Sequence, residues 1–316
     1  MLGVLQGFTL ILVIIGAGYA TALFRVVEGE QRRVLNNVAF FVATPALLFT
    51  VLSGSDPGVI LSPVILVTTA AAVLSAAAFV LASRLWFRRD LAGTALGATS
   101  AGYVNANNLG LPVAVYILGD AAYVAPLILV QLIFFAPTLL ALLETTRIPE
   151  GSRPRGRGGA ARGALLALGR AASNPIIIAS VLGLIVALAG VPVPEIVAAP
   201  LGMLGDAAIP MVLLSFGISL RGQRALQPGT GRAAVFTASG IKVLLMPVIA
   251  WGLSHALGLG AHEVFVATTI AALPTAQNVY NYAATYRRAE TPVRDTVFLT
   301  TFASLPVIAA VAWWLG

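Results

Sequence analysis

Ten long apolar stretches, separated by mostly short polar connections, constrain this chain more than any other feature of its sequence. A helix of about 20 apolar residues is long enough to cross the hydrocarbon core of a bilayer. Only 10% of the residues are charged and 59% are apolar, whereas about 25% of the residues of a soluble domain are charged. The sequence therefore predicts an all-α integral membrane protein. The ten predicted transmembrane segments are Leu5–Leu23, Leu35–Leu52, Ile60–Phe87, Leu91–Leu118, Ala122–Leu143, Pro175–Gly190, Leu201–Leu220, Ala233–Ala256, Val264–Tyr286 and Val297–Leu315.

The basic residues alternate between the connections. Eighteen of the nineteen lie in the odd-numbered connections, and the second, fourth, sixth and eighth connections hold none. Because cytoplasmic connections carry the excess of lysine and arginine, we expect a multi-pass protein of the cytoplasmic membrane with both termini outside. The longest connection is rich in arginine but has no aromatic residues between the arginines. It therefore indicates contact with anionic lipid and not nucleic-acid binding.

Cysteine is absent from the sequence, and there are two histidines. These counts exclude disulfides and thiolate chemistry, and they argue against zinc, iron–sulfur and histidine-rich metal sites. We expect neither a cofactor nor a metal ion.

The two halves of the chain resemble each other. Because each half holds five segments, an odd number, the second half must enter the membrane from the opposite side. We therefore expect an inverted repeat of residues 1–146 and 171–316, joined by a cytoplasmic tether at 147–170; such repeats build many secondary transporters. Prolines recur at offsets of 165, 162 and 169 residues, in the pairs Pro45 and Pro210, Pro112 and Pro274, and Pro137 and Pro306.

The fourth and ninth segments, both interrupted by proline, are the best candidates for a binding site. Proline removes a backbone donor and opens the turn before it, and unpaired backbone at membrane depth is tolerated only against protein or a wet cavity. We predict that the amide side chains beside Pro112 and Pro274 bind substrate, although such amides can also serve only to join packed helices. The six amides are Asn105, Asn107, Asn108, Gln277, Asn278 and Asn281.

Two more polar residues lie deep in predicted segments. Lys242 follows Arg232 by ten residues, which is about 15 Å of helix and places it near the bilayer centre. Three roles are open to Lys242 from the sequence. It can be a cation that attracts an anionic substrate or replaces a coupling cation, it can tether backbone carbonyls, or it can be a neutral or snorkelling side chain. Gln131 is either a site residue or a packing residue. We include both, with Pro112 and Pro274, among the candidate substrate-binding residues.

The chain resembles the auxin efflux carrier family, which includes plant PIN-type auxin exporters and bacterial malate or malonate permeases. The resemblance covers both halves and implies a fold like that of sodium/proton antiporters and bile-acid symporters, with two discontinuous helices crossing at the site. It also implies that segments 1, 2, 6 and 7 form a dimerising scaffold, against which segments 3–5 and 8–10 move as an elevator. The motifs are Asn105 with Gly110-Leu-Pro112, the stretch from Pro210 to Leu220, Lys242-Val-Leu-Leu-Met-Pro247, and Ala272-Leu-Pro274 running to Tyr286.

We therefore expect a carrier of small organic anions, such as carboxylates or auxin-like acids, that works by alternating access in the lipid bilayer as a homodimer. A cation/proton antiporter of the same fold requires carboxylates at the crossing, where the sequence places none. A cation-coupled symporter and a passive channel remain alternatives. An enzyme is not expected, because no acid lies beside a nucleophile at membrane depth.

Overall fold

The computed structural model describes residues 2–27, 29–55, 62–146, 173–221, 226 and 231–316. Within these residues every regular element is a helix, which agrees with the predicted all-α class. The predicted tether at 147–170 lies outside them. In chain order the helices are α1 (Leu2–Leu23), α2 (29–54), α3 (63–87), α4 (Leu91–Gly102), α5 (106–118), α6 (121–145), α7 (Pro175–Ala189), α8 (195–219), α9 (232–256), α10 (Ala261–Ala272), α11 (Gln277–Tyr286) and α12 (Glu290–Leu315).

The lengths and composition of these helices confirm an integral membrane protein. Within the described ranges, six helices are long and apolar enough to cross a bilayer, namely α2, α3, α6, α8, α9 and α12. Shorter apolar helices of 10 to 17 residues lie within α1, α5, α7 and α10. Many apolar side chains of the long helices, such as Leu66 of α3 and Val248 of α9, are exposed, as expected for surfaces that lipid covers.

Several helices begin earlier than their apolar stretches predict, and α8 and α12 are two examples. α8 begins at Glu195 and not near Leu201, and α12 begins at Glu290 and not near Val297. An acidic residue in the first turn is favourable at the positive end of the helix dipole, whereas hydropathy counts the same residue against a transmembrane segment. Hydropathy therefore shortens both helices at their N-terminal ends.

The helices form two compact units. The first contains α1, α2, α5, α7, α8 and the beginning of α6 up to Leu129, and the second contains α3, α4, the rest of α6 and α9 to α12. The boundary therefore falls inside the fourth and fifth predicted segments. This differs from the grouping that the family resemblance implies, in which segments 3–5 stay together.

Small residues allow close helix packing in the first unit. α7 and the first half of α8 pack against the C-terminal half of α2, and α1 packs against the second half of α8. A Cβ atom at Gly183 would lie 2.9 Å from the Phe49 carbonyl oxygen, and one at Gly205 would lie 2.9 Å from the Cα of Leu47. Glycine at these contacts brings the backbones together, which is a common source of helix association in membranes.

The second unit has a buried core that surrounds Tyr103. Residues of α4, α6, α11 and α12 form one hydrophobic cluster, in which the Tyr103 and Phe135 rings meet edge to face at a centroid distance of 6.2 Å. A smaller cluster packs Phe79 of α3 against α4 and α9. Together they fix α4 and α11 beside the neighbouring helices of the unit.

Four prolines each follow a widened, π-helical turn. In three of the four cases the residue before proline donates its backbone N–H to the carbonyl five residues earlier, as Met246 does to Ile241. Because proline has no N–H, the widened turn keeps the helix continuous around it. The prediction that the fourth segment opens at Pro112 is therefore wrong in position: Pro112 is helical. The four prolines are Pro45, Pro112, Pro137 and Pro247.

Candidate functional site

Two helices of the second unit end where the chain becomes extended. α4 ends at Gly102, and the extended stretch begins at Tyr103 with φ −81° and ψ 116°. α10 ends at Ala272, and Leu273 has φ −58° and ψ 150°. The unwound stretches are therefore 103–105 and 273–276. The second contains Pro274, which disfavours helical geometry in the preceding residue.

The two unwound stretches pair with each other. Val104 and Thr275 form an antiparallel bridge. The Asn105 N–H donates to the Pro274 carbonyl at 2.8 Å, and the Ala276 N–H donates to the Tyr103 carbonyl at 3.1 Å. In this kind of antiparallel pair, the backbone groups of the two facing residues point outward and require other partners.

Gln131 and Thr300 supply those partners. The Gln131 Oε1 accepts the Val104 N–H at 2.6 Å, and its Nε2 donates to the Val104 carbonyl at 3.1 Å. On the opposite side, the Thr275 N–H donates to the Thr300 Oγ1 at 3.1 Å. Gln131 is 2% exposed, and both polar ends of its amide are used. The sequence left two roles open for Gln131, a site residue or a packing residue. Its contacts are those of a residue that supports the backbone.

Thr275 and Thr300 were not among the predicted site residues. The Thr275 hydroxyl donates to the Ser100 carbonyl at 2.6 Å and so ties the second stretch to α4. The signal that could have found Thr300 is its distance along the chain from Gln131. The two residues are 169 positions apart, which is the offset that also separates Pro137 from Pro306.

The predicted amides of the second unit differ in exposure. Asn105 lies in the unwound stretch and is 4% exposed. Gln277 and Asn278 open α11 and are half-buried, and the Asn278 and Tyr103 side chains are hydrogen bonded. Asn281 lies one turn further along α11 and is exposed. The unwound stretches therefore bring Asn105 and Pro274 together and place two amides at the start of α11.

Three predicted site residues belong to the first unit. Asn107 and Asn108 lie in the first turn of α5, where the Asn107 Nδ2 donates to the Asn108 Oδ1 at 3.0 Å. The Asn107 Oδ1 is buried and has no hydrogen-bond partner among the described residues. Pro112 is buried in the middle of α5.

Lys242 is fully buried and contacts the end of α10. Its Nζ donates to the Ala271 carbonyl at 2.8 Å and to the Met246 Sδ at 3.2 Å. No carboxylate in the described part of the chain forms an ion pair with it. The contact with Ala271 is the one expected if Lys242 tethers backbone carbonyls near the unwound stretch.

Asp295 is the fully buried carboxylate of the described residues, and it was not among the predicted site residues. Its Oδ1 accepts from the Arg294 Nη2 at 2.9 Å, and its Oδ2 accepts the Leu226 N–H at 3.0 Å. It precedes Thr300 by five residues, which is about 7.5 Å along α12. Because both oxygens are engaged, the contacts of Asp295 are those of a clamp on the segment before α9.

The start of α11 offers hydrogen-bond donors to a ligand. Its N-cap residue is Ala276, which makes no side-chain cap, and a helix N-terminus favours an anionic group. Amide side chains at Gln277 and Asn278 add donors and acceptors there. Within the described ranges, no three histidine, cysteine or acidic residues lie close enough together to hold a metal ion.

Comparisons with known proteins place the chain among transporters. The family described as "Membrane transport protein" matches residues 5–152 and 164–312. An "Uncharacterized transporter" of Methanothermobacter thermautotrophicus is 30% identical, with 93% of each chain covered. A protein of Rhizobium meliloti named "Putative malonate transporter" is 27% identical, with 94% of this chain and 91% of the relative covered. The chain therefore belongs to the membrane transport protein family of the auxin efflux carriers, and it is a membrane transporter and not an enzyme.

Proposed function

We propose that this protein carries small organic anions, with carboxylates such as malonate as the first candidates, across the cytoplasmic membrane by alternating access. In this proposal the ten segments form a 5+5 inverted repeat, and the fourth and ninth segments are discontinuous helices that cross. The substrate site lies at their paired unwound stretches. The relative named for malonate supports the choice of dicarboxylates for a first test.

The observation that carries the proposal is the start of α11. The unwound stretch delivers the chain to a helix N-terminus that lacks a side-chain cap and bears Gln277 and Asn278 in its first turn. The backbone of the stretch already has protein partners in Gln131 and Thr300. The dipole of α11 favours an anionic ligand at this end of the helix, and the Gln277 and Asn278 side chains lie beside it.

The pairing geometry supports the inverted repeat. The bridge joins Val104 to Thr275, and its two hydrogen bonds occupy equivalent positions in the two stretches. The residues that support the bridge, Gln131 and Thr300, come from the fifth and tenth segments, which are equivalent in the two proposed repeats. Any antiparallel bridge has a local twofold relation, so the support for a duplicated unit comes from the equivalent positions of Gln131 and Thr300 in the two halves.

Replacing the amide of Asn278 tests the site. We expect Asn278→Ala to weaken malonate binding about tenfold, equivalent to about 1.4 kcal/mol, because it removes a polar group at the start of α11 without removing core volume. Binding is measured by isothermal titration on purified protein and by uptake of labelled malonate into proteoliposomes. Melting temperature with saturating ligand provides a second readout, because a ligand stabilises the state that it binds.

Thr285→Ala provides the matched control on the same helix. Thr285 is exposed, and its hydroxyl donates to the Asn281 carbonyl of its own helix at 2.8 Å. We expect malonate affinity to be unchanged in this variant. Equal affinities of Asn278→Ala and wild type, with uptake intact, would move the site away from α11.

The rival functions give different results in the same vesicles. A cation/proton antiporter moves sodium or protons without an organic anion, a cation-coupled symporter requires sodium or a proton gradient for uptake, and a passive channel shows no saturation with substrate. Asp295 does not favour the antiporter, because both of its oxygens have partners in the protein. We also propose a homodimer through segments 1, 2, 6 and 7.

A further inference from the structure

Lys242 places an amine against the C-terminal end of a helix that stops inside the membrane. Ala271, its acceptor at 2.8 Å, is the last residue but one of α10. The last carbonyls of a helix have no partner within the helix, and the helix dipole makes this end partly negative. A cation is therefore the favoured occupant of this position.

The amine reaches this position through the widened turn of α9. Lys242 lies in the π-helical turn 241–245, and its second contact is the Sδ of Met246 in the same helix. The lysine side chain is fully buried, and no described carboxylate pairs with it. A buried charge requires compensation, and the end of α10 is the polar feature that the structure places against it.

We propose that the Lys242 ammonium is a resident monovalent cation at the C-terminal end of α10, and that removing its side chain turns this position into a binding site for a dissolved monovalent cation. Lys242 is then a positioning residue, because it acts through the Ala271 carbonyl on the unwound stretch that begins two residues later. This inference rests on the proposed function only where substrate binding is measured. Its stability readout is independent of the substrate.

The resident cation has a consequence for coupling. A helix end that is already occupied by a tethered ammonium has no need of sodium or potassium to hold the unwound stretch. We therefore expect the wild-type protein to have the same melting temperature and the same malonate affinity in sodium, potassium and N-methylglucamine chloride at equal ionic strength.

The test removes the amine and supplies small cations from solution. In Lys242→Ala, we expect a lowered melting temperature in N-methylglucamine, and a rise of about 2–4 °C when ammonium, methylammonium or sodium replaces it. Malonate affinity, lowered about tenfold in N-methylglucamine, should recover with the same cations. Val243→Ala is the matched control, because it removes a buried apolar side chain from the same turn and keeps the lysine with both of its contacts, and it should remain insensitive to the cation.

A second variant separates charge from hydrogen bonding. Lys242→Gln fills the space and can still donate to Ala271, but it carries no charge, so we expect it to be less stable than wild type. Wild-type stability in Lys242→Gln, an Ala variant that no cation stabilises, or a sodium requirement in the wild type would each overturn the proposal. If the wild type binds no carboxylate, the proposed function fails, while the effect of cations on the Ala variant still decides the role of Lys242.

Discussion

Gln131 and Thr300 pair backbone groups that the unwound stretches would otherwise leave unpaired inside the second unit. Val104 directs both its N–H and its carbonyl to one glutamine side chain, and Thr275 directs its N–H to one hydroxyl. Leaving a buried polar group without a partner costs about 1–3 kcal/mol. These two side chains therefore stabilise an extended geometry that a membrane interior would otherwise penalise.

Substitutions at Gln131 and Thr300 should lower the stability of the protein more than its affinity for substrate. We expect Gln131→Leu to lower the free energy of unfolding by about 2–4 kcal/mol, because two buried backbone groups lose their partner. Thr300→Val removes one acceptor and should cost about half as much. Chemical denaturation in detergent, followed by circular dichroism, measures both changes.

Thr300→Ser is the control for the second position, because serine keeps the hydroxyl that accepts from Thr275. It should remain close to wild type in stability. If Gln131→Leu were as stable as wild type but no longer bound malonate, Gln131 would be a substrate ligand, and its contacts with Val104 would be incidental.

At the scale of helices, prolines have two different effects in this chain. Before Pro112, Pro137 and Pro247 the helix widens by one residue and continues, whereas around Pro274 it unwinds. The unwound residues around Pro274 pair with residues 103–105. No such bridge joins the described residues around Pro112, Pro137 or Pro247 to another stretch. A proline therefore indicates an irregular turn, and whether that turn widens or unwinds depends on the segments that pack beside it.

Pro274→Ala tests whether proline holds the second stretch open. Without the ring, Leu273 is no longer restricted to extended geometry, and we expect α10 to extend by a turn at the expense of the bridge to Val104. Hydrogen exchange followed by mass spectrometry should then show altered protection of residues 273–277. Malonate affinity should fall, because α11 would no longer begin at Gln277.

Pro292→Ala is the matched control in the same unit. Pro292 lies in the first turn of α12, where proline is tolerated because no intrahelical donor is lost. We expect unchanged exchange and unchanged affinity. If Pro274→Ala also left both measurements unchanged, the pairing with Val104 and the support from Thr300 would be sufficient to keep the stretch unwound.

The sequence predicts the membrane helices and the neighbourhood of the unwound stretches, but not the contacts within those stretches. The apolar stretches located the membrane helices, and the amide-rich sequence beside Pro274 located the second unwound stretch. The first stretch has no proline of its own, and the break that the sequence predicts in the turn before Pro112 therefore lies beyond it. In the sequence, Thr275 and Thr300 cannot be told apart from other threonines of membrane helices. Their hydroxyls have a distinct role only because two distant stretches pair in the structure.

At the scale of the whole molecule, the distribution of arginine is the sequence feature that best predicts how the chain is oriented in the membrane. Odd-numbered connections carry eighteen of the nineteen basic residues. Lysine and arginine next to membrane helices resist translocation to the outside. With five segments in each half, the second half enters the membrane from the opposite side, so this charge distribution favours the proposed inverted repeat.

Cysteine labelling can test this orientation directly, because the chain has no cysteine of its own. A membrane-impermeant maleimide added to intact cells should label Ser55→Cys and Ala261→Cys, which lie at the second and eighth connections. It should label Val26→Cys, in the first connection, and Thr285→Cys, at the end of the ninth segment next to the ninth connection, only after the membrane is permeabilised. The reverse pattern would place both termini in the cytoplasm and would contradict the charge argument. Agreement in the first half alone would contradict the inverted repeat, because each pair of positions reports on one half independently.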